Sequence, residues 1–368
     1  MFGSGIHKRE THLWPVLIAV LFVAGVVCIT YFPTLSYEFT NWDDPSFVQN
    51  NQSIQTPGWS GLKKVITRTI PDGFGDYMPV TILSYWVDYQ LWGFQPKGYH
   101  LTNLLLHALS TGLMFLLLQR LTTRPVVSML ATLLFALHPM NTEAVTWIAG
   151  RKSVMALFWM LLSFHAFLNW QQNSAIKRKY LYLSLLLYVL ACLSKTAVVF
   201  FPLLLMAYQL CLRKIDIKRS LKTTSSFFLI SITIGLCRFF GHYTSGQMAL
   251  KPFDSLWVQL FTVFEIFGFY LKKLIMPVKL NNNYPLEVAN SIFDPGVLFG
   301  ILSMLAMIIV IVKCMRNYPM VSFGLIWYLI AWLPHSQIIV IPPALRADRY
   351  MYYSSAGLFL AIVCGLDQ

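Results

Sequence analysis

Long apolar runs joined by short polar stretches dominate the chain, and the first, residues 14–31, follows a basic stub of His7, Lys8 and Arg9. No small-residue cleavage site follows it and many more apolar runs do, so it reads as an uncleaved first span rather than a signal peptide. A hydrocarbon core of about 30 Å takes roughly 20 helical residues. Further apolar segments fall near residues 100–119, 126–138, 153–170, 180–193, 198–212, 223–240, 296–312, 319–333 and 350–366, which makes about ten candidate spans. All are expected to be helices, because lipid-facing strands with open edges leave backbone groups unpaired. The expected fold is therefore all-α and polytopic: one membrane domain over 1–368, with a large polar loop, 36–99, after the first span.

The distribution of positive charge orients these spans. Basic clusters occur at Lys8/Arg9, Arg120/Arg124, 177–179, 213–222 and Lys313/Arg316. If all five are cytoplasmic, as the positive-inside rule prefers, an even number of crossings separates neighbouring clusters, and the ten-span set satisfies this. The apolar, aromatic segment 255–276 would reverse Lys313 and Arg316 if it crossed, so it is expected to be a re-entrant or interfacial helix on the outer face, ending in Lys272 and Lys273. Loop 36–99 then lies outside as well.

Composition agrees with this picture. At 57% hydrophobic, 12% charged and a mean hydropathy of +0.59, too little polar surface exists to clothe a water-soluble globule. The net charge of +13 falls mostly on the cytoplasmic side of this topology, so nucleic-acid binding is not needed to explain it. Six scattered cysteines without a CxxC pair indicate neither a zinc site nor a disulfide framework. None of the ten spans contains Asp or Glu, which argues against an ion-coupled transporter or flippase.

The chemistry-bearing residues gather at the outer ends of spans. In NWDDP, residues 41–45, Asp43 and Asp44 form either a turn or helix cap, or a general base with a divalent metal as an open option. In YHLTNLLLHAL, His100, Asn103 and His107 make one polar stripe suited to bonding between helices, with His100 nearest the surface and able to reach substrate. HPMNTEAVTWIAGRK brings His138, Glu143, Arg151 and Lys152 to the outer side; the spacing matches no metal motif and suits an ion-pair cluster. In LRADRYMYY, Arg346 and Arg349 are placed one turn apart at the start of the last span, as a phosphate site or as an interfacial anchor with Tyr350, Tyr352 and Tyr353. Lys195 in LSKT adds to the same positive field or snorkels. The chain has no P-loop or GxGxxG, so an outward-facing transferase needs a donor already carried across on a lipid, and a polyprenyl phosphate is a suitable leaving group.

Taken in order, NWDDPSFVQNN, GYHLTNLLLHAL, LFALHPMNTEAVTWIAGRKSVMA, LSKT, FYLKKLIMPVKLNNNYP and ADRYMYYSSAGLF resemble the GT-C superfamily of multi-pass glycosyltransferases. Within it, the chain is similar to the membrane domain of bacterial tetratricopeptide-associated proteins related to the transmembrane O-mannosyltransferases. The resemblance implies a plasma-membrane enzyme, in a bacterium of the inner membrane, with its active site outside the cytoplasm. It implies transfer of a sugar, mannose being the candidate, from a polyprenyl-phosphate donor to a hydroxyl of an acceptor protein or glycan. Asp43 or Asp44 maps onto the catalytic base, and Arg346 and Arg349 match the lipid-phosphate cations by position, with Lys195, Arg151 and Lys152 in support. Two departures stand out: Met78 in YMPVT replaces Arg or His, and Ser153 follows Arg151-Lys152 where Asp is usual. The repeat domain that commonly follows is not expected within a chain whose last residue is Gln368. The rival expectation is a catalytically inactive GT-C-like scaffold or assembly protein of an envelope pathway.

Overall fold

The structure is a computed structural model describing residues 5–67, 77–172, 177–244, 253, 255–285, 288–338 and 346–367. Among these residues the regular structure is helical throughout, and all ten apolar segments lie on helices. In order they are α1 (Gly5–Tyr31), α2 (Gln52–Gln55), α3 (Gly58–Thr67), α4 (Pro79–Trp92), α5 (Pro96–Thr122), α6 (Pro125–Leu137), α7 (Thr142–Thr146) and α8 (Arg151–Gln172). Then come α9 (Lys177–Ser194), α10 (Phe201–Cys211), α11 (Ile217–Thr244), α12 (Leu256–Ile275), α13 (Pro295–Asn317), α14 (Pro319–Trp332) and α15 (Ser354–Leu366). Proline opens α4, α5, α6, α13 and α14, where its fixed φ suits the first turn and its missing N–H is not needed.

Contacts between segments sort the chain into two ends. At one end Arg124 pairs with Asp367, the Lys214 ammonium donates to the Met315 carbonyl at 2.9 Å, and Arg120 donates to Asn169 and Gln172. Every predicted cytoplasmic cluster with described contacts meets there. At the other end loop 36–99, residues 138–153, Lys195 and residues 333–353 converge. The described polar bonds of helix α12 include several at this second end: Gln259 donates to the carbonyls of Gln337 and Ile338, Glu265 pairs with Arg346, Tyr270 bonds Ala347, and the Leu274 carbonyl faces His138 at 3.1 Å. Residues toward both termini of α12, Gln259 and Leu274, thus bond at the same end of the bundle.

By length and composition α1, α5, α8, α11 and α13 are each able to cross a membrane, and α6 forms one further bent unit with residues 139–146, at 54°. Helices α6, α10, α14 and α15 have only 13, 11, 14 and 13 residues. At about 1.5 Å per residue they are roughly 16–21 Å long, short of the bilayer's hydrocarbon thickness. Their site-end continuations are 3-10 turns, Pro139–Asn141, Thr196–Phe200, Leu333–His335 and Asp348–Met351. Irregular backbone at membrane depth is tolerated where it is buried in protein or lines a cavity, and the short helices thereby recess the polar end of the bundle.

Close helix contacts fix this frame. A Cβ on Gly324 would fall 2.6 Å from the Gly357 carbonyl, and one on Gly357 equally near that of Gly324, so α14 and α15 cross backbone to backbone. Loop 36–99, expected as polar loop, is largely folded: α2, α3 and α4 enclose a second core of Phe47, Val48, Ile54, Val65, Ile82 and Tyr85, closed by Trp147 and Ile148.

Candidate functional site

The acid pair separates into two roles. Asp44 is wholly buried. One carboxylate oxygen accepts from the Thr40 amide at 2.8 Å and hydroxyl at 2.9 Å, and the other accepts from the Ala149 amide at 2.9 Å. It therefore clamps the first loop to the segment before α8. Burial pushes its carboxyl above the usual range, against the pull of these donors. Asp43 keeps part of its surface open and accepts from the Lys152 ammonium at 3.0 Å. Of the two, Asp43 alone presents a carboxylate that a ligand can reach.

Arg151 and Lys152 also part company. Arg151 has no exposed surface; it pairs with Asp88 at 2.5 Å, donates to Asn103 at 2.7 Å and to the Tyr99 carbonyl at 2.8 Å, and lies over the Tyr85 ring. All of this belongs to the fold, and the phosphate role expected of Arg151 finds no accessible guanidinium. Lys152 instead sits over Phe47 and within 5.3 Å of the Trp147 ring. On that same indole lies the Arg349 guanidinium, at 5.2 Å, so the first loop, the start of α8 and the segment before α15 meet at one side chain. The indole N–H donates to the Thr40 hydroxyl at 2.9 Å, which ties it to the Asp44 clamp.

Glu143 and Arg349 form a tight pair: the Arg349 backbone amide donates to Glu143 at 2.8 Å and its guanidinium at 2.5 Å, and a further guanidinium bond reaches the Asn282 carbonyl. Burial opposes the Arg349 charge most strongly, but Glu143, Tyr350 and Asp43 together outweigh it, and the pKa is raised. Lys195 is 8% exposed and donates to Ser153 at 2.9 Å. Burial, then the charges of Lys152, Arg349 and Arg238, hold its pKa well below the ordinary lysine range, with Glu143 acting the other way. The departure at Ser153 thus deprives Lys195 of the counter-charge that an Asp there would supply.

The expected pairing of Arg346 and Arg349 is corrected by the backbone. Helix α15 begins only at Ser354, Arg349 lies in a 3-10 turn and Arg346 precedes it, so the two do not share a helix N-terminus. Arg346 turns toward α12, where it grips Glu265 at 2.7 and 2.9 Å and bonds the Pro285 carbonyl. His138 stitches α6 to α12 and is not turned to the cluster: Nε2 donates to the Leu274 carbonyl while Nδ1 accepts from the Met140 amide. His100 is buried edge-on to Tyr37. Asn103 and His107 serve the helix contacts expected of their stripe, Asn103 donating to the Trp147 carbonyl and His107 lying 2.8 Å from the Tyr352 hydroxyl.

The converging set is therefore Asp43, Lys152, Glu143 and Arg349 about Trp147, with Lys195 beyond it, bonded to Ser153 and beside the Tyr353 ring. Sequence reasoning did not single out Asp88, Glu265, Arg238 or Asp348. A lone charge inside an apolar helix was the available signal for the first three. Asp348 accepts from the Tyr284 hydroxyl and the Asn281 amide, both at 2.8 Å, fastening the stretch after α12 to the segment before α15. Among the described residues no group of three His, Cys, Asp or Glu side chains is placed to hold a metal ion.

This polytopic helical bundle, with a carboxylate and several cations facing one another at one end, resembles known membrane proteins in sequence and in fold. Residues 72–254 match the family described as dolichyl-phosphate-mannose-protein mannosyltransferase. Protein O-mannosyl-transferase F38B6.6 of Caenorhabditis elegans is 24% identical over 359 residues, covering 93% of this chain and 50% of that protein. Protein O-mannosyl-transferase tmtc2 of Xenopus laevis is 34% identical over 155 residues, 40% of this chain and 18% of that one. The crystal structure of ArnT from Cupriavidus metallidurans bound to undecaprenyl phosphate superposes with a TM-score of 0.53 at 15% identity, over 95% of this chain and 60% of that one. The chain is a multi-pass membrane protein with a GT-C fold, homologous to the protein O-mannosyltransferases. It spans half or less of the length of these curated relatives.

Proposed function

We propose that the chain transfers a sugar from a polyprenyl-phosphate donor to an acceptor hydroxyl outside the cytoplasm, with mannose as the sugar and a single membrane domain as the catalytic unit. The observation that carries this reading is the meeting of Asp43, Lys152 and Arg349 about Trp147, although these residues come from three distant parts of the chain. The related O-mannosyltransferases suggest the reaction type and the sugar, and the undecaprenyl phosphate bound to ArnT suggests the lipid class. Asp43 accepts the proton of the acceptor hydroxyl as its oxygen bonds the anomeric carbon. The bond from that carbon to the phosphate oxygen breaks, its electron pair stays on the phosphate, and the cations Arg349 and Lys195 take up the added negative charge. Lys152 orients the Asp43 carboxylate, and Glu143 holds Arg349 in place.

Asp43→Asn tests this directly, in the purified full chain supplied with a polyprenyl-phosphate mannose donor and a hydroxyl acceptor. The expected result is loss of transfer with retained folding and retained donor binding, because the amide cannot accept the proton. Transfer at the wild-type rate in the folded variant refutes the assigned base.

A further inference from the structure

One buried imidazole at the recessed end takes no part in the reaction as described. His335 closes the 3-10 turn Leu333–His335 that ends α14 and is 8% exposed. Its ring lies flat on that of Tyr350, with centroids 4.3 Å apart and planes 5° from parallel. The Arg349 guanidinium lies over the same Tyr350 ring at 5.2 Å. His335 Nε2 is buried and has no hydrogen-bond partner among the described residues. The charges acting on it are those of Lys195, Arg349 and Arg238, all positive. A buried polar atom left unbonded is rare and costly, and here it sits among cations with no carboxylate in that set. An anionic oxygen answers both needs at once.

We propose that His335 is a further ligand-binding residue of this site, its Nε2–H donating a hydrogen bond to a phosphate oxygen of the polyprenyl donor. The proposal rests on the transferase reading above and adds a residue that the sequence motifs do not mark. Burial first, and then the three neighbouring cations, disfavour an imidazolium before the lipid binds, so the ring is neutral and carries one N–H. During transfer the carbon–oxygen bond to the phosphate breaks with its electron pair left on the phosphate, while the acceptor proton goes to Asp43. The bond from His335 therefore strengthens as charge develops on the phosphate and needs no proton transfer of its own. Stacking on Tyr350 fixes the imidazole plane in advance, which lowers the ordering cost of binding.

The test is direct binding of undecaprenyl phosphate to the purified full chain in detergent, with the phosphate-free polyprenol as control and no transfer required. His335→Gln, His335→Asn and His335→Phe are compared with wild type. The glutamine amide nitrogen reaches the place of Nε2, the asparagine amide stops near that of Nδ1, and phenylalanine keeps the stack without a donor. H335N and H335F are expected to weaken phosphate-lipid binding by about tenfold to a hundredfold, the range for a hydrogen bond to a charged acceptor, with H335Q within about threefold of wild type. Affinity for the polyprenol should be the same in all four proteins. Wild-type affinity in H335F overturns the proposal, as does equal loss in all three variants for both lipids, which marks a general packing defect unconnected with the phosphate. If wild type shows no preference for the phosphate lipid, the transferase reading falls as well; a preference retained in H335F removes His335 alone.

Discussion

Exchanging each acid of the pair at 43 and 44 for its amide separates chemistry from architecture. In Asp44→Asn the amide oxygen is able to keep the 2.9 Å bond from Ala149, but the amide nitrogen then faces the Thr40 N–H, a donor against a donor. The Thr40 hydroxyl adapts by rotating; the Thr40 amide cannot. One charge-assisted bond of about 1.5–3 kcal/mol is lost and an N–H is stranded at a further cost of about 1–3 kcal/mol. Removing a buried charge that the site disfavours returns part of this, leaving a net loss of about 2 kcal/mol. Asp43→Asn breaks only the partly open pair with Lys152, worth about 1 kcal/mol or less. Thermal unfolding of the detergent-purified variants, run beside the transfer assay, gives the readout. D43N should unfold near the wild-type temperature and transfer nothing; D44N should unfold earlier and lose transfer only in step with its displaced loop. If D43N transfers normally while a fully stable D44N is inert, the roles are reversed and the hydrogen-bond reasoning is wrong.

Other outcomes follow from the same structure. Arg151→Met strands Asp88 in the interior and should cost about 3–5 kcal/mol of stability, read as poor expression and a lowered unfolding temperature, because breaking a buried pair leaves an uncompensated charge. Gly324→Ala or Gly357→Ala puts a methyl against a backbone carbonyl that no side chain can yield, so each should destabilise by about 1–3 kcal/mol or more in the same unfolding assay. Burial, with Glu143 in support, raises the Asp348 carboxyl to about 6 from the ordinary 3.8. The folded protein then binds that proton more tightly than the unfolded chain, so this contribution to stability is full below the unfolded value and is lost as pH rises from about 4 through about 6. Wild type should gain stability over Asp348→Asn as pH falls through that window, and a pH-independent difference in unfolding temperature would contradict the assignment.

How much of this was legible in the sequence depends on whether the property averages over a segment or rests on the phase of one turn. The helical class and the gathering of the basic clusters at one end follow from apolar length and charge clusters, quantities that a misplaced residue hardly alters. Side-chain partners do not follow in the same way. Arg151 and Lys152 are neighbours, yet adjacent positions on a helix point about 100° apart. The 3-10 turn Ile148–Gly150 before α8 sets the phase, and it sends Arg151 inward to Asp88 and Lys152 to Asp43. Had α8 begun one residue later in phase, the motif would read identically and the cation beside Asp43 would be a different one. The same holds for Arg346 and Arg349, which three-residue spacing places together on an α-helix and an extended-to-3-10 backbone sends to Glu265 and Glu143 instead. Irregular backbone is what recesses the site and also what breaks the periodicity by which sequence reasoning works, so the chemistry is least readable where the fold is most specialised. Arg238 and His335 escaped notice for the complementary reason: each is one polar residue in or beside an apolar run, and only the burial of the surrounding charges gives it meaning.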